Sequence, residues 1–271
     1  MTARETDFYT LPDGTRMPRV TAILKAAFPF DNLNWSAYLA RDNTRRFARR
    51  VHEAIHPVLG ICLGLDGDSF DHQLATVQGN APPHKLGQDA AEVGTAVHKY
   101  AEMVMRMRMG ENVRIPVLPS QEIVGGVAVA SRHQNAADAF HAWLDAHVIE
   151  PLTPEVRLVS LQHGYAGTAD LIALVDGVPT LVDFKTSKGI FVEYPVQVAA
   201  YRQAALEMGL AKAPMAGLIA RFPKEAGDTF ELKEIPWGWQ NHLFGVFLGA
   251  RANWEYRQWF AEQFPYKRRM K

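Results

Sequence analysis

Apolar and polar positions alternate with two different periods along this chain. From Ala91 to Met109 the apolar residues Val93, Val97, Ala101 and Val104 recur every three or four positions, the stripe of an amphipathic helix. The spacing also predicts helices over Asn34–His56 and Gly125–His147, the latter burying Phe140 and Trp143. After Pro151 and Pro154 the period falls to two. Glu155–Leu161, Gly167–Val175 and Val178–Phe184 read as strands, with Asp176-Gly177 as a tight hairpin turn. A helix over Val196–Met208 follows, then strands over Ala216–Phe222 and Phe230–Ile235, then a long aromatic-rich helix over Trp237–Phe264 that runs into Lys267, Arg268, Arg269 and Lys271. Near the N-terminus, Tyr9–Met17 reads as a hairpin turning at Asp13-Gly14, and the Asp-, Gly- and Pro-rich stretch Asp66–Gly87 reads as a loop or linker. Helices first, then a sheet with one crossing helix, then a helix: this order predicts an α/β layer architecture.

Composition narrows the picture. The chain has 271 residues, 48% of them hydrophobic, enough for one good core with an added subdomain. Formal net charge is zero, so any nucleic-acid surface must come from local segregation of charge. Cys62 is the one cysteine, which excludes an intramolecular disulfide and a four-cysteine iron–sulfur or zinc site. No apolar run approaches the ~20 residues of a membrane span, and Met1–Asp7 carries no signal-peptide pattern. The expectation is a cytoplasmic protein without a membrane partner, in the host cytoplasm if phage-encoded.

The chemistry concentrates in Gly167-Thr168-Ala169-Asp170 and Leu181-Val182-Asp183-Phe184-Lys185. Residues i and i+2 of a strand share a face, so Asp183 and Lys185 project together while Phe184 turns into the core. A hairpin brings Asp170, expected near the start of its strand, opposite that pair. Two carboxylates and a lysine at one sheet edge suit phosphodiester hydrolysis. A magnesium or manganese ion held by Asp170, Asp183 and the Phe184 carbonyl generates a nucleophile near neutral pH, and the lysine steadies the water or the developing charge. Taken alone, an Asp-x-Lys at a strand end is commonly no more than a surface ion pair.

Together these segments resemble the PD-(D/E)XK nuclease superfamily, specifically its RecB-like branch. That branch carries Gly-x-x-x-His on an upstream helix, matched by Gly94–His98, and Gln-x-x-x-Tyr on the helix after the lysine strand, matched by Gln197–Tyr201. Glu155 stands where some members carry a further acidic residue. Arg19–Leu24 followed by Trp35 is similar to the start of the phage and mitochondrial exonucleases of the branch. The resemblance implies a restriction-endonuclease-like core over residues 91–271, a mixed sheet flanked by helices, preceded by a mostly helical, DNA-guiding region over 1–90. It implies an exonuclease acting on single-stranded DNA ends in recombination or repair, using one or two magnesium or manganese ions and no iron–sulfur cluster. His98, Asp170 and Asp183 would ligate metal, with Glu155 in an outer shell or at a second ion. Lys185 would be catalytic, and Gln197 and Tyr201 would support it or the substrate.

The residues add DNA-contact candidates. Arg41, Arg45 and Arg49 share a helix face that can track phosphates or simply be solvated. Thr186, Ser187 and Lys188 follow the lysine and can hold a phosphate. Trp35, Trp237 and Trp239 can stack bases, though core packing is the preferred reading of each. Two alternatives remain. One is a zinc hydrolase using the His52-Glu53-Ala54-Ile55-His56 string, weakened by Pro57 directly after it and by the missing third ligand. The other is a DNA-binding protein of nuclease fold that does not cut.

Overall fold

A computed structural model describes residues 4–28, 83–124 and 127–264 of the chain. The expected helix over Asn34–His56, most of the expected linker and Cys62 lie outside them. Contacts divide the chain into two units, one of Met1–Pro29 with Val93–Lys271 and one of Phe30–Glu92. The first unit carries everything described below.

Its centre is a five-stranded mixed sheet whose spatial order follows the chain, β5-β6-β7-β8-β9. The strands are β5 (Ile149–Ser160), β6 (Tyr165–Val175), β7 (Val178–Lys185), β8 (Ala216–Arg221) and β9 (Glu231–Ile235). Only β7 and β8 run parallel, joined by the crossing helix α4 (Glu193–Glu207); the other pairs are antiparallel. Asp176 and Gly177 both have positive φ, +50° and +80°, which makes the Asp-Gly turn the twisted type that two-residue hairpins prefer.

Helices cover both faces. On one side lie α2 (Pro83–Arg108) and α3 (Arg132–Ala146). Val93, Val97, Phe140 and Trp143 of these helices pack against Leu171, Val182, Phe184 and Phe222. On the other side lie α4, α5 (Gln240–Gln263) and α1 (Val20–Ala27), where Val20, Ile23, Ala200, Tyr201 and Phe247 pack against Leu158, Tyr165, Leu181 and Ile219. β7 is central, so Leu181 and Val182 bury on opposite faces. A short hairpin of β1 (Phe8–Thr10) and β2 (Arg16–Pro18) precedes α1 and turns through Gly14 as expected. Among the described residues no helix is long and apolar enough to cross a membrane.

Three segments differ from the sequence expectation. The helix expected from Gly125 begins only at Arg132. Ser131 caps it, its hydroxyl accepting the Gln134 N–H at 3.0 Å, and the residues before it form a hairpin, β3 (Gln121–Val124) and β4 (Val127–Ala130). β5 starts at Ile149 rather than Glu155 and runs through Pro151 and Pro154. An edge strand tolerates both prolines because one of its sides needs no N–H donors, and the register shift between Pro151 and Thr153 absorbs an extra residue. β6 begins at Tyr165, so Asp170 stands in mid-strand rather than near its start.

Helix α4 approaches the sheet unusually closely. A Cβ on Gly167 would sit 2.4 Å from the Tyr201 ring, and one on Gly217 would sit 2.6 Å from Val198. Alanines 199, 200, 204 and 205 complete the thin contact. Even Arg202 is wholly buried, with its guanidinium donating to the Met215 and Ile235 carbonyls at 3.3 and 2.9 Å and lying over Trp237. Burial without a carboxylate partner pushes its pKa down to about 10.

The helix-to-sheet distance predicts opposite outcomes for two Gly→Ala changes. Gly167→Ala forces Tyr201 to move and should destabilise by about 1–3 kcal/mol. Gly245→Ala, on an exposed helical position with nothing within 4 Å of the added carbon, should stabilise by about 0.5–1 kcal/mol. Urea denaturation of the two variants reads both signs.

Candidate active site

The β6/β7 ladder pairs Leu171 with Val182 and stops there; the next residues facing each other are Asp170 and Asp183. At this opening the strands part and side chains enter from both layers. Phe184 is pinned among Phe140, Trp143 and Phe222, with ring centroids 5.5–6.0 Å away, which fixes the end of β7. Its backbone N–H then donates to Asp170 Oδ2 at 2.7 Å. From the α2 side, His98 Nδ1 meets Asp170 Oδ1 at 3.0 Å. The His98 side chain stays 31% exposed, the most open of the group.

The second carboxylate is organised from the α4 side. Lys185 Nζ lies 2.6 Å from Asp183 Oδ2 and donates to Gln197 Oε1 at 3.2 Å. Gln197 Nε2 donates onward to Asp183 Oδ1 at 3.2 Å and to the Tyr201 hydroxyl at 3.1 Å. The charges set the orientation of the Gln197 amide: oxygen to ammonium, nitrogen to carboxylate. Tyr194, one turn earlier on the same helix face, lays its ring 4.6 Å from the Lys185 ammonium. Sequence reasoning passed over Tyr194. Its spacing to Gln197 and Tyr201, i, i+3 and i+7, was the available signal.

Two carboxylates in one buried opening cannot have like electrostatics. Asp183 is pushed up, because burial and the charge of Asp170 together outweigh Lys185. Asp170 is held down: its burial is outweighed by His98, Lys185 and the Phe184 N–H. Lys185 is also buried, which favours the neutral amine, but Asp183 and Asp170 more than offset this and raise it. His98 is raised for the same reason, burial losing to the charge and hydrogen bond of Asp170. Tyr201 is raised well above its usual range by burial and by Asp183, so it remains a neutral phenol.

The other sequence candidates fall into place unevenly. Glu155 lies opposite Asp170 on β5, between the pairs Pro154/Leu171 and Val156/Ala169, as a largely exposed residue with a left-handed φ of +49° and a carboxyl that is partly covered. Burial of its carboxyl and the charges of Asp170 and Glu102 raise its pKa. Thr186 is buried, and its hydroxyl stands 3.0 Å from where a Cβ on Gly94 would be, so the glycine of Gly94–His98 admits a side chain rather than a neighbouring backbone. Ser187 is turned inward, bonding the Gly189 carbonyl at 2.8 Å and accepting Arg221 on its own carbonyl, while Lys188 is exposed. Trp237 is half-buried over Arg202, whereas Trp239 is 57% exposed and does not pack in the core. Arg41, Arg45, Arg49, Trp35 and the His52-Glu53-x-x-His56 string lie outside the described residues. The site also reaches β1: the Tyr9 and Thr168 hydroxyls bond each other two residues before Asp170.

In this arrangement every oxygen of Asp170 and Asp183 faces a donor or cation of the chain itself, and among the described residues no three His, Cys, Asp or Glu side chains are gathered to hold a metal ion. The donor chemistry is nevertheless that of a hard divalent cation: two deeply set carboxylates, a backbone carbonyl and one imidazole. Their mutual repulsion, visible in the raised Asp183, is what a bound cation would relieve. No protein-family model matches the chain, and no curated protein matches it.

A double-mutant cycle measures the buried pair. Lys185→Met leaves Asp183 buried without its cation and should cost about 3–5 kcal/mol near neutral pH, while Asp183→Asn with Lys185→Met together should cost much less than the summed single changes. Because Asp183 is already raised, the folded Lys185→Met variant takes up a proton before the unfolded chain does as pH falls. Its deficit against wild type should therefore shrink from pH 8 to pH 5, as followed by urea midpoints.

Proposed function

We propose that the chain is a metal-dependent deoxyribonuclease of the PD-(D/E)XK superfamily, an exonuclease hydrolysing phosphodiester bonds from single-stranded DNA ends, with the sheet and its two helical layers as a restriction-endonuclease-like core. The observation that carries the reading is the pair of bonded groups His98–Asp170 and Lys185–Asp183–Gln197–Tyr201, side by side at the opening of β6 and β7. The residues that the sequence resemblance singled out as the heart of such a site meet there from four separate elements.

Asp170, Asp183, the Phe184 carbonyl and His98 would hold magnesium or manganese, and Glu155, opposite Asp170 on β5, would serve an outer shell or a second ion. A divalent cation there supplies the positive charge that lets a phosphodiester accept a nucleophile at neutral pH. The chain's own residues do the rest. Lys185 is held protonated by the two carboxylates, so it acts as a cationic hydrogen-bond donor toward the phosphate oxygens or the attacking water and not as a proton acceptor. Gln197 and Tyr194 keep the ammonium on the mouth of the site, and the neutral Tyr201 keeps Gln197 in its orientation. Exposed Lys188 beside the site supplies positive charge for DNA phosphates.

The test uses end-labelled linear and circular DNA, single- and double-stranded, in magnesium, manganese or EDTA. Linear single strands should be degraded with either ion and spared in EDTA, circles should survive, and Asp183→Asn and Lys185→Ala should each lose roughly 10²-fold or more in rate. Normal rates in either variant would end the assignment. Cutting of circles would make the enzyme an endonuclease, and binding without cleavage under every ion would make it a DNA-binding protein. Independently of activity, magnesium or manganese should raise the melting temperature of wild type but not of Asp183→Asn, since a ligand that binds only the folded state stabilises it.

A further inference from the structure

Where β6 parts from β7, the N-terminal segment takes up its freed edge. Arg19 bridges Ala166 in parallel, and the β1–β2 hairpin lies against the same strand, so that the Tyr9 and Thr168 hydroxyls meet. On β5 the register partner of Thr168 is Arg157, an exposed residue between buried Val156 and Leu158. Directly paired residues project from the same side of a sheet. Thr168 is therefore flanked by Tyr9 and Arg19 on one hand and by Arg157 on the other. It stands two residues before Asp170, about 7 Å along the strand and on the same side of it. Both are partly open to solvent, whereas Gly167, Ala169 and Leu171 between and beside them are buried.

The groups gathered around Thr168 are those that bind an anion with several oxygens. Arg19 is held by its Nε, which donates to the Phe8 carbonyl at 3.1 Å, and by its flat face, 4.4 Å from the centre of the Tyr9 ring. These contacts fix the guanidinium and leave its two terminal amino groups without a partner among the described residues. Arg16, Arg106, Arg132, Arg221 and Arg251 each pair with a carboxylate, but among the described residues neither Arg19 nor Arg157 does. The carboxylate on the same side of β5 is Glu155, opposite Asp170, and the cations that bear most on it are His98 and Lys99. The Tyr9 and Thr168 hydroxyls share one hydrogen bond, so one of their two hydrogens is left for a further acceptor. Two guanidinium forks and a hydroxyl donor match the oxygens of a phosphate, which guanidinium binds through paired N–H groups. A nucleic-acid strand repeats its phosphates at roughly 3.4 Å of axis rise per nucleotide, so one lying at Asp170 brings another to Thr168.

We infer that Arg19, Arg157 and the Tyr9–Thr168 hydroxyl pair form a phosphate subsite for the DNA strand, holding a backbone phosphate one or two positions away from the bond at Asp170 and Asp183. The inference rests on the proposed nuclease function for the choice of DNA. It adds the contact that sets the strand's register against the two carboxylates, and because phosphates are the same in every nucleotide it does so without regard to sequence.

Fluorescence anisotropy of labelled thymidine and adenosine homopolymers, in EDTA and across a salt series, reads the contact without catalysis. Arg157→Gln should weaken binding of both homopolymers alike, roughly tenfold, and lower the salt slope by about 0.7 at an unchanged melting temperature. Arg157→Lys should keep the slope, and adding Arg19→Gln to Arg157→Gln should lower it by as much again. Arg157 is exposed and makes no bond among the described residues, so its variants fold whatever becomes of Arg19→Gln. In magnesium, Arg157→Gln should raise KM and leave kcat nearly as it was, because the reacting atoms are untouched. Unchanged affinity and slope in Arg157→Gln, in an enzyme that still cuts, would overturn the subsite and leave the nuclease standing. A loss confined to one homopolymer would also overturn it, by assigning the arginines to bases. Weakened binding in the arginine variants, with no cleavage by wild type under any ion, would keep the phosphate contact and end the nuclease. A wild type that binds neither homopolymer would remove both.

Discussion

Two carboxylates facing each other across an opened hairpin are the constraint from which the site's other features follow. Asp170 and Asp183 lie where water is largely excluded, and their repulsion has to be met by positive charge and directed donors. The protein meets it asymmetrically. Asp170 receives an imidazole and a backbone N–H, Asp183 an ammonium and an amide. That division holds the Asp170 carboxyl below its usual range and leaves the Asp183 carboxyl raised. It also explains why the donors come from both helical layers: no single layer reaches both acids.

The fold supports this by thinning one of its contacts. α4 can carry Gln197 and Tyr201 deep enough to touch Asp183 only because glycines at 167 and 217 and a run of alanines let the helix sink onto the sheet. Phe184 does the same work from the opposite face, where an aromatic cluster holds the strand end whose N–H reaches Asp170. The side chains that conduct the proposed chemistry therefore lean on packing rather than on loops, the arrangement that holds a polar cluster most rigidly.

Much of the central sheet and of the site was legible in the sequence. Period-two alternation and the Asp176-Gly177 turn sufficed to place Asp183 and Lys185 on one face and Asp170 across from them. Other parts resisted for physical reasons. Pro151 and Pro154 read as breakers because the sequence does not show that β5 is an edge strand, the one place where they fit. The Ala-rich β4 looked helical by propensity, and only the Ser131 cap marks the true start of α3. α4 is buried nearly all round, so no amphipathic stripe announces it, and Tyr194 went unread beside Gln197 and Tyr201. Arg202 would be expected at the surface from its chemistry, and only tertiary packing places it over Trp237.

The sheet's neighbours in space are its neighbours in sequence, and this bears on how the molecule comes to exist. β5, β6 and β7 form a meander whose contacts are local, so it can close at little entropic cost. His98 bonds Asp170 at a sequence separation of 72, and Tyr9 reaches Thr168 at a separation of 159. Those closures come late on any route that favours short loops. A chain part-way through synthesis or refolding would thus display its strands and its paired Asp183 and Lys185 well before the histidine and the N-terminal hairpin arrive. The proposed site is therefore gated by completion of the fold itself: its parts stay apart until the last long-range closures are made.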